Sequence, residues 1–245
     1  MMRPPDVAQL RVELAAAFRL AVQMNWHESV ANHFSVAVSA DGRTFLMNPR
    51  WRHFALIRAS DLLLLDSGDA GTMSRPDAPD PSAWSIHGRI HALLPQARCV
   101  LHVHPPYCTA LSTLADPRLK PIDQTTARFF NRVAVDHHYG GIADQQEEGE
   151  RLARALGDKS RLIMGNHGVL VTAPTVAEAF EDLYFLERAA RTLVLAYGTG
   201  QPLSVLPDDI AEYTARSWDS YQGAAFAHFR DLQRLLDARD PSYRN

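Results

Sequence analysis

Two histidines, His102 and His104, are the residues whose spacing most clearly suggests chemistry. They stand two apart in Cys99-Val-Leu-His-Val-His104, among strand-forming residues. Side chains at positions i and i+2 of a β-strand leave from the same face, so the two imidazoles are predicted to project together. Pro105 and Pro106 end the strand just beyond them, because proline cannot donate to a sheet hydrogen bond. Two neutral imidazoles at the end of a strand could supply half of the ligands of a metal site. The alternative is that the two histidines lie on the solvent-exposed face of a sheet and bind nothing.

A third histidine, His167, favours the metal interpretation. It lies in Gly165-Asn-His-Gly168, a turn between two apolar runs at 161–164 and 169–172 that are predicted as strands. Three imidazoles are enough to hold a cation that keeps an open position for a substrate.

A further pair, His87 and His91, stands at i and i+4, on one face of a predicted helix. A zincin helix needs Glu directly after its first histidine, and Gly88 stands there, which argues against a metalloprotease. One of the pair could line a site; a surface or half-buried position is the alternative.

Composition narrows the class of protein. The chain has 245 residues, 46% of them hydrophobic and 22% charged, which suits one large globular domain. A net charge of −3 without a Lys/Arg-rich block argues against nucleic acid as a partner. The two cysteines make no disulfide framework, and no apolar run approaches the ~18 residues of a membrane span. We therefore expect a cytoplasmic protein that has a small-molecule substrate and no membrane partner.

Helices and strands alternate without regular βαβ repetition, which predicts an α/β or α+β sandwich with a largely antiparallel sheet. The expected domain is single, residues 1–245, with a core at about 7–200 and a C-terminal helical extension at about 207–245. Predicted helices start at Asp6, after a Ser82 cap, at Tyr107, after an Asp144 cap, at Val176 and at Ala224; predicted strands cover 31–38, 44–47, 62–66, 99–104, 132–136, 161–164 and 169–172.

Other chemistries lack their signatures. The sequence has no G-x-G-x-x-G after a strand, no Walker A motif and no G-x-S-x-G elbow. An H-x-H pair also opens amidohydrolase barrels and metallo-β-lactamases. The second class needs Asp-His where Pro105-Pro106 stands, and the first needs a longer barrel with the pair on an early strand.

The order of the motifs resembles the class II aldolase/adducin family. The resemblance covers about residues 10 to 200 and a similar tail at 235–244. The motifs that carry it are Asn32-His-Phe-Ser35, Phe45-Leu-Met-Asn-Pro49, Ile86-His87 with Ile90-His91-Ala92, Cys99–His104, and Gly165-Asn-His-Gly168 before a long helix.

The resemblance implies a fold, an assembly and a metal. The fold would be a three-layer α/β/α sandwich around a mixed, largely antiparallel sheet, and the assembly a homotetramer with sites between subunits. His102, His104 and His167 would bind one divalent metal ion, commonly zinc, with manganese, iron or cobalt as alternatives. Such a metal chelates adjacent carbonyl and hydroxyl oxygens and stabilises the enediolate formed when a C–C bond breaks, in retro-aldol cleavage and in decarboxylation alike.

Two departures from the family pattern modify this expectation. Family aldolases carry an acid/base Glu four residues before the position of His87, and Ala83 stands there. His87, His137 and His138 are the candidate replacements, because an imidazole titrates near neutral pH. After Pro49 comes Arg50-Trp-Arg-His53, where a glycine would usually let the backbone approach an oxyanion, which argues against a phosphorylated substrate.

A carboxylated substrate fits these departures better. An arginine could pair with the substrate carboxylate, and a tryptophan, Trp51 or Trp84, could cover an apolar part of the substrate. The alternative for each arginine is a solvated surface charge, and for each tryptophan a place in the ordinary core. The substrate-binding set is Asn32, Arg50, Arg52, Trp84 and Arg128.

Three functions are consistent with the sequence. The first is a metal-dependent lyase, an aldolase or decarboxylase, acting on a small, non-phosphorylated, carboxylated substrate. The second is a non-haem iron oxygenase of the same fold, although such enzymes more often use two histidines and a carboxylate. The third is a non-catalytic, adducin-like binding module.

Overall fold

A seven-stranded sheet forms the centre of the molecule in the computed structural model, which describes residues 6–142, 145–221 and 223–245. The strand order is β3-β2-β1-β4-β7-β6-β5, and β5 with β6 is the one parallel pair among the described strands. The strands are β1 (His33–Ala37), β2 (Thr44–Met47), β3 (Leu63–Asp66), β4 (Cys99–Val103), β5 (Ala134–Asp136), β6 (Arg161–Met164) and β7 (Gly168–Ala173). The mixed, largely antiparallel sheet predicted from the sequence is confirmed.

Helices cover both faces of the sheet. They are α1 (Val7–Gln23), α2 (Pro81–Leu93), α3 (Pro106–Ser112), α4 (Gln124–Ala127), α5 (Gln146–Leu156), α6 (Val176–Gly198), α7 (Asp208–Asp219) and α8 (Ala224–Arg239). The larger core joins α1 and α6 to one face, and a smaller core joins α2 and α5 to the other. The three-layer sandwich is therefore confirmed, and no described helix is long and apolar enough to cross a membrane.

Some predicted element ends were wrong. Asp80, not Ser82, caps α2: its carboxylate accepts a hydrogen bond from the Ser82 amide, because Pro81 takes the first helical position. The predicted Asp144 cap of α5 lies outside the described residues. Helix α7 falls within the predicted C-terminal helical extension but was not predicted as a separate helix; it buries only Ala211 and Ala215, and so small an apolar stripe gives little periodic signal.

The register of the sheet determines which side chains meet. Cys99, Leu101 and Val103 of β4 belong to the larger core and Val100 to the smaller one, so alternation turns His102 toward α2. Strand β1 pairs with β4 so that His33 lies opposite His102. The histidines of β1 and β4 thus share the sheet face covered by α2.

Close contact between α2 and α5 holds this layer over the sheet. A side chain at Gly149 would place its Cβ 2.2 Å from the carbonyl oxygen of Ser85, so a glycine is needed where α5 crosses α2. The packed layer keeps water from the sheet beneath it.

Candidate metal centre

Three histidines from two parts of the chain converge at one end of the sheet. One possible ligand nitrogen from each of His102, His104 and His167 lies within 4.8 Å of the others. The ring centroids are 4.8 Å apart for His102 and His167, 4.8 Å for His104 and His167, and 5.1 Å for His102 and His104. The predicted convergence is present in the structure.

The antiparallel pairing of β4 and β7 produces this convergence. Val103 pairs with Val169, so the end of β4 lies beside the turn that carries His167. A Cβ at Gly168 would lie 2.6 Å from Cδ2 of His104 and 2.7 Å from the carbonyl oxygen of Val103. Only glycine allows the two strands to approach this closely.

The hydrogen bonds of His102 and His104 leave one nitrogen of each ring free. His102 donates from Nδ1 to the carbonyl oxygen of Val169 at 3.0 Å, and His104 donates from Nδ1 to the carboxylate of Glu28. Nε2 of His104 is buried without a hydrogen-bond partner among the described residues. Metal-binding histidines characteristically donate their other N–H in this way. An unpartnered, buried imidazole nitrogen in a three-histidine cluster fits a bound divalent cation.

Burial keeps the imidazoles of His102 and His167 neutral, as metal ligands must be. Desolvation, with the nearby imidazoles, lowers the pKa of His102 well below 6.5. Desolvation and the neighbouring His104 lower the pKa of His167 to about 4. Both rings therefore offer lone pairs at neutral pH.

Glu28 is a functional candidate that the sequence did not reveal. It lies in the loop after α1, 65% of its side chain is exposed, and its carboxylate contacts His104 across 76 positions of sequence. No local motif marks it, since only the tertiary fold places it beside the histidines. It holds the ring of His104 and brings a carboxylate to the rim of the centre.

No acidic side chain occupies the position of the family glutamate. Ala83 is 2% exposed and belongs to an apolar cluster with Phe45, Met47 and Leu65. The part of α2 that would supply an acid/base carboxylate instead packs against the sheet.

His87 and His91 are fully buried, so the surface or half-buried alternative was wrong. His87 is 0% and His91 1% exposed. Both ring nitrogens of His87 are engaged inside the protein, by His33 and Ser35. Burial lowers the pKa of His87 well below 6.5. Direct contact between His87 and a substrate would require these bonds to break.

The other two candidate acid/base groups, His137 and His138, lie on an exposed segment that follows β5. The amide of His138 donates to Oδ1 of Asp136 at 3.0 Å. The next residue, Tyr139, has its ring centroid 6.2 Å from that of His167. This segment therefore borders the metal centre.

Asn32, a predicted substrate-binding residue, directly precedes His33, which lies opposite His102 in the sheet. Its Oδ1 accepts a hydrogen bond from the Glu28 amide at 2.6 Å. Its Nδ2 is buried and has no partner within the described part of the chain. An unpaired buried donor next to His33 is available to a substrate oxygen.

Arg50, in the loop after β2, contacts Asp80 at the start of α2. Its Nε lies 3.4 Å from Oδ2 of Asp80, and its guanidinium lies 4.1 Å from the ring centroid of Trp51. Trp51 is 70% exposed and has a φ of 59°, a strained conformation for a bulky residue.

The remaining predicted substrate residues have their contacts elsewhere. Arg128 pairs with Asp182 at 3.2 Å and lies 5.0 Å from the ring of Trp218, in a separate cavity. Arg52 is exposed, 3.8 Å from Asp61. Trp84 lies 6.0 Å from Phe45 and lines a cleft of about 180 Å³ on the outer side of α2. The structure does not bring these three together with the histidine cluster.

Helix α2 has no free anion site at its N-terminus. Asp80 accepts from the Ser82 amide at 3.0 Å and from the Ser82 hydroxyl at 2.7 Å, and Pro81 has no N–H. The carboxylate of Asp80 occupies the place where a helix would attract a phosphate.

Comparison with known proteins gives one consistent family. Residues 12–194 match the model of the Class II Aldolase and Adducin N-terminal domain. The crystal structure of an aldolase II superfamily protein from Pseudomonas syringae superposes with a TM-score of 0.88, at 33% identity, covering 98% of this chain and 97% of that one.

Two relatives carry names of different activities. Decarboxylase NovR from Streptomyces niveus is 28% identical over 242 residues, 94% of this chain and 89% of the relative. A 4-hydroxy-3-prenylphenylpyruvate oxygenase/4-hydroxy-3-prenylbenzoate synthase from Streptomyces roseochromogenus subsp. oscitans is 26% identical over 245 residues, 96% of this chain and 88% of the relative. Family model, fold and histidine cluster agree: the chain belongs to the class II aldolase/adducin family.

Proposed function

We propose that this protein is a metal-dependent lyase that cleaves a C–C bond in a small, non-phosphorylated, carboxylated substrate. The observation that carries the proposal is the convergence of three imidazoles, two of which donate from Nδ1 to the Val169 carbonyl and the Glu28 carboxylate and so leave Nε2 bare. The family membership and the relative named as a decarboxylase support it.

His102, His104 and His167 would hold a divalent metal, zinc first, with manganese, iron or cobalt as alternatives. Such a metal, when bound, polarises a substrate carbonyl and stabilises the negative charge that develops as the C–C bond breaks. Glu28 and the carbonyl of Val169 hold two of the rings in their ligating tautomer.

The residues around the histidines would bind and orient the substrate. Asn32 Nδ2 would donate to a substrate oxygen, and Arg50 would pair with a carboxylate at the mouth of the site. Asp80 at the start of α2 would repel a phosphate, because its carboxylate already fills the helix N-terminus.

Decarboxylation suits the residues better than aldol cleavage. Loss of CO2 leaves an anion that needs one proton, whereas aldol cleavage also needs a base for the substrate hydroxyl. Ala83 removes the family carboxylate from its usual place. The exposed His137 and His138, on the segment bordering His167, remain the proposed proton donors.

An iron oxygenase is the second candidate, and the relative named as an oxygenase favours it. Three histidine ligands leave open positions on Fe(II) for substrate and O2. Metal analysis with activity assays in air and under nitrogen separates the two functions. Activity that is indifferent to oxygen, with zinc or manganese bound, supports the lyase.

We also propose that the working assembly is a homotetramer with sites between subunits. Tyr139 and Ile142, on the segment beside His167, are 52% and 80% exposed, as expected of residues that a neighbouring subunit would cover. Sedimentation equilibrium would show a mass four times that of the chain, and a monomer would contradict the proposal.

The decisive experiment incubates metal-loaded protein with a panel of hydroxy and keto acids and measures CO2 and aldehyde release. The proposed lyase releases one of these products from at least one acid, and His102→Ala abolishes it. A His102→Ala protein that keeps its full biological role without metal would instead support a non-catalytic, adducin-like module.

A further inference from the structure

A chain of hydrogen bonds runs through the buried layer between the sheet and α2. His33 Nδ1 lies 2.8 Å from His87 Nε2, and Ser35 Oγ lies 2.5 Å from His87 Nδ1 and 2.7 Å from His91 Nε2. His91 Nδ1 in turn lies 2.8 Å from the carbonyl oxygen of Ala97. None of the four side chains is more than 3% exposed, so neighbouring protein groups decide where each proton sits.

The sequence builds this chain from two periodicities. His33 and Ser35 alternate on the face of β1 that turns toward α2, and His87 and His91 lie one helical turn apart on the face of α2 that turns toward the sheet. Four buried polar groups thus meet between the sheet and α2. Buried polar groups of this kind persist when every one of them is hydrogen-bonded.

The direction of each hydrogen bond follows from the Ala97 end. A carbonyl oxygen only accepts, so His91 carries its proton on Nδ1. Burial lowers the pKa of His91 to about 4, so the ring is neutral and its Nε2 is an acceptor. Ser35 has a single hydroxyl hydrogen and must donate it to that Nε2.

The same reasoning continues to the other end. The Ser35 oxygen accepts from His87, so His87 carries its proton on Nδ1 and accepts at Nε2. His33 then donates from Nδ1 to His87. His33 is only 3% exposed, and burial disfavours a charged ring, so with its proton on Nδ1 the ring holds a bare lone pair on Nε2.

Nothing in the described part of the chain satisfies that lone pair well. The nearest donor is the Ser82 hydroxyl at 3.5 Å, which is long for an O–H donor. Its hydrogen is already directed to Asp80 Oδ1 at 2.7 Å. The ring centroid of His33 lies 4.8 Å from that of His102, so the ring that carries the bare nitrogen is a direct neighbour of the three-histidine cluster.

We propose that His33 Nε2 is a substrate-binding hydrogen-bond acceptor, and that His87, Ser35 and His91 are positioning residues that fix its tautomer. The inference rests on the proposed function and narrows its substrate class. The site takes an acid that has a hydroxyl group in addition to the two oxygens that chelate the metal. That hydroxyl donates to His33, while the Asn32 amide, which only donates at Nδ2, contacts a substrate oxygen acceptor.

The tautomers can be measured directly by long-range ¹H–¹⁵N correlation NMR on histidine-labelled protein, metal-free and zinc-loaded. His33, His87 and His91 are expected to carry their protons on Nδ1. A proton on Nε2 of His33 would overturn the proposal, because the ring would then offer a donor.

A serine variant pair tests whether the chain holds the tautomer. Ser35→Ala removes the acceptor of His87 and the donor to His91, so His33 or His87 is expected to populate the other tautomer. Ser35→Thr keeps a hydroxyl at the same place and is expected to keep all three protons on Nδ1. Unchanged tautomers in Ser35→Ala would refute the positioning role of the chain.

Two small acids test the substrate class on zinc-loaded protein by calorimetry. Glycerate and lactate both chelate through a carboxylate and a 2-hydroxyl, but only glycerate has a further hydroxyl. Glycerate is expected to bind about three- to tenfold tighter than lactate, which is the effect of one additional net hydrogen bond. The His33→Phe variant is expected to bind the two acids equally.

The outcomes separate this inference from the proposed function. Equal binding of the two acids by the unaltered protein would overturn the role of His33 and leave the hydroxy-acid function standing. Failure of both acids to bind would count against the function, and with it the substrate class, while the NMR result would still report on the tautomers.

Discussion

Removing the Glu28 carboxylate should weaken metal binding while leaving the fold intact. Glu28 accepts the Nδ1 proton of His104, which orients the ring and makes Nε2 a better ligand. Loss of such a partner typically lowers metal affinity about 10- to 100-fold. Because 65% of the Glu28 side chain is exposed, water can partly replace the lost acceptor, so the lower end of this range, about tenfold, is expected for Glu28→Ala.

A second substitution separates the hydrogen bond from the charge. Glu28→Gln keeps an acceptor oxygen for His104 and loses the negative charge, so its affinity should fall by about threefold at most. Glu147→Ala, an exposed glutamate on α5, is the matched control and should bind zinc as the unaltered protein does.

The assay is zinc competition against a chromophoric chelator at pH 7, with thermal unfolding to verify the fold. A zinc dissociation constant of Glu28→Ala within twofold of the unaltered protein would refute the idea that Glu28 orients a metal ligand. An equal loss in Glu28→Ala and Glu28→Gln would show that charge, not the hydrogen bond, is what His104 requires.

Three further outcomes follow from the structure. The metal-free protein should lose stability as the pH falls from about 6.5 to about 4. Burial lowers the pKa values of His91 and His167 to about 4, so the unfolded chain binds more protons than the folded protein in this range. A urea midpoint that does not change with pH would contradict this. Gly168→Ala should destabilise the protein by about 1–3 kcal/mol and weaken zinc binding, since its Cβ would lie 2.6 Å from Cδ2 of His104; calorimetric unfolding and the chelator assay measure both, and an unaltered melting temperature would contradict the close approach. Arg50→Ala should raise KM for a carboxylated substrate. Arg128→Ala should lower the melting temperature with KM unchanged, because Arg128 pairs with Asp182 away from the three histidines. The reverse pattern in steady-state kinetics would contradict this placement.

The members of the three-histidine cluster could be predicted from the sequence because each lies in a local motif. His102 lies in β4 and His104 directly after its end, and His167 lies on a turn between strands that could be recognised from their apolar residues. The three-layer fold followed from the order of motifs. Hydrophobic periodicity and turn residues act over a few neighbouring positions, so they can be recognised in a single sequence.

The rest of the site depends on contacts that no local pattern encodes. Glu28 reaches His104 across 76 positions, and His33 reaches His87 across 54. The burial of His87 and His91 was missed because a helix face of two histidines reads as polar until the partners on β1 are known. The ion pair between Arg128 and Asp182 could not be predicted for the same reason, because a charge pattern does not show which residues meet in the fold.

X-ray absorption at the zinc edge of stoichiometrically loaded protein tests the three-histidine centre most directly. One zinc per chain should show nitrogen scatterers at about 2.0–2.1 Å with the outer-shell pattern of three imidazoles. Substituting His167 should remove one imidazole from that pattern. A zinc shell with fewer than three imidazoles in the unaltered protein, or an unchanged shell without His167, would contradict the centre.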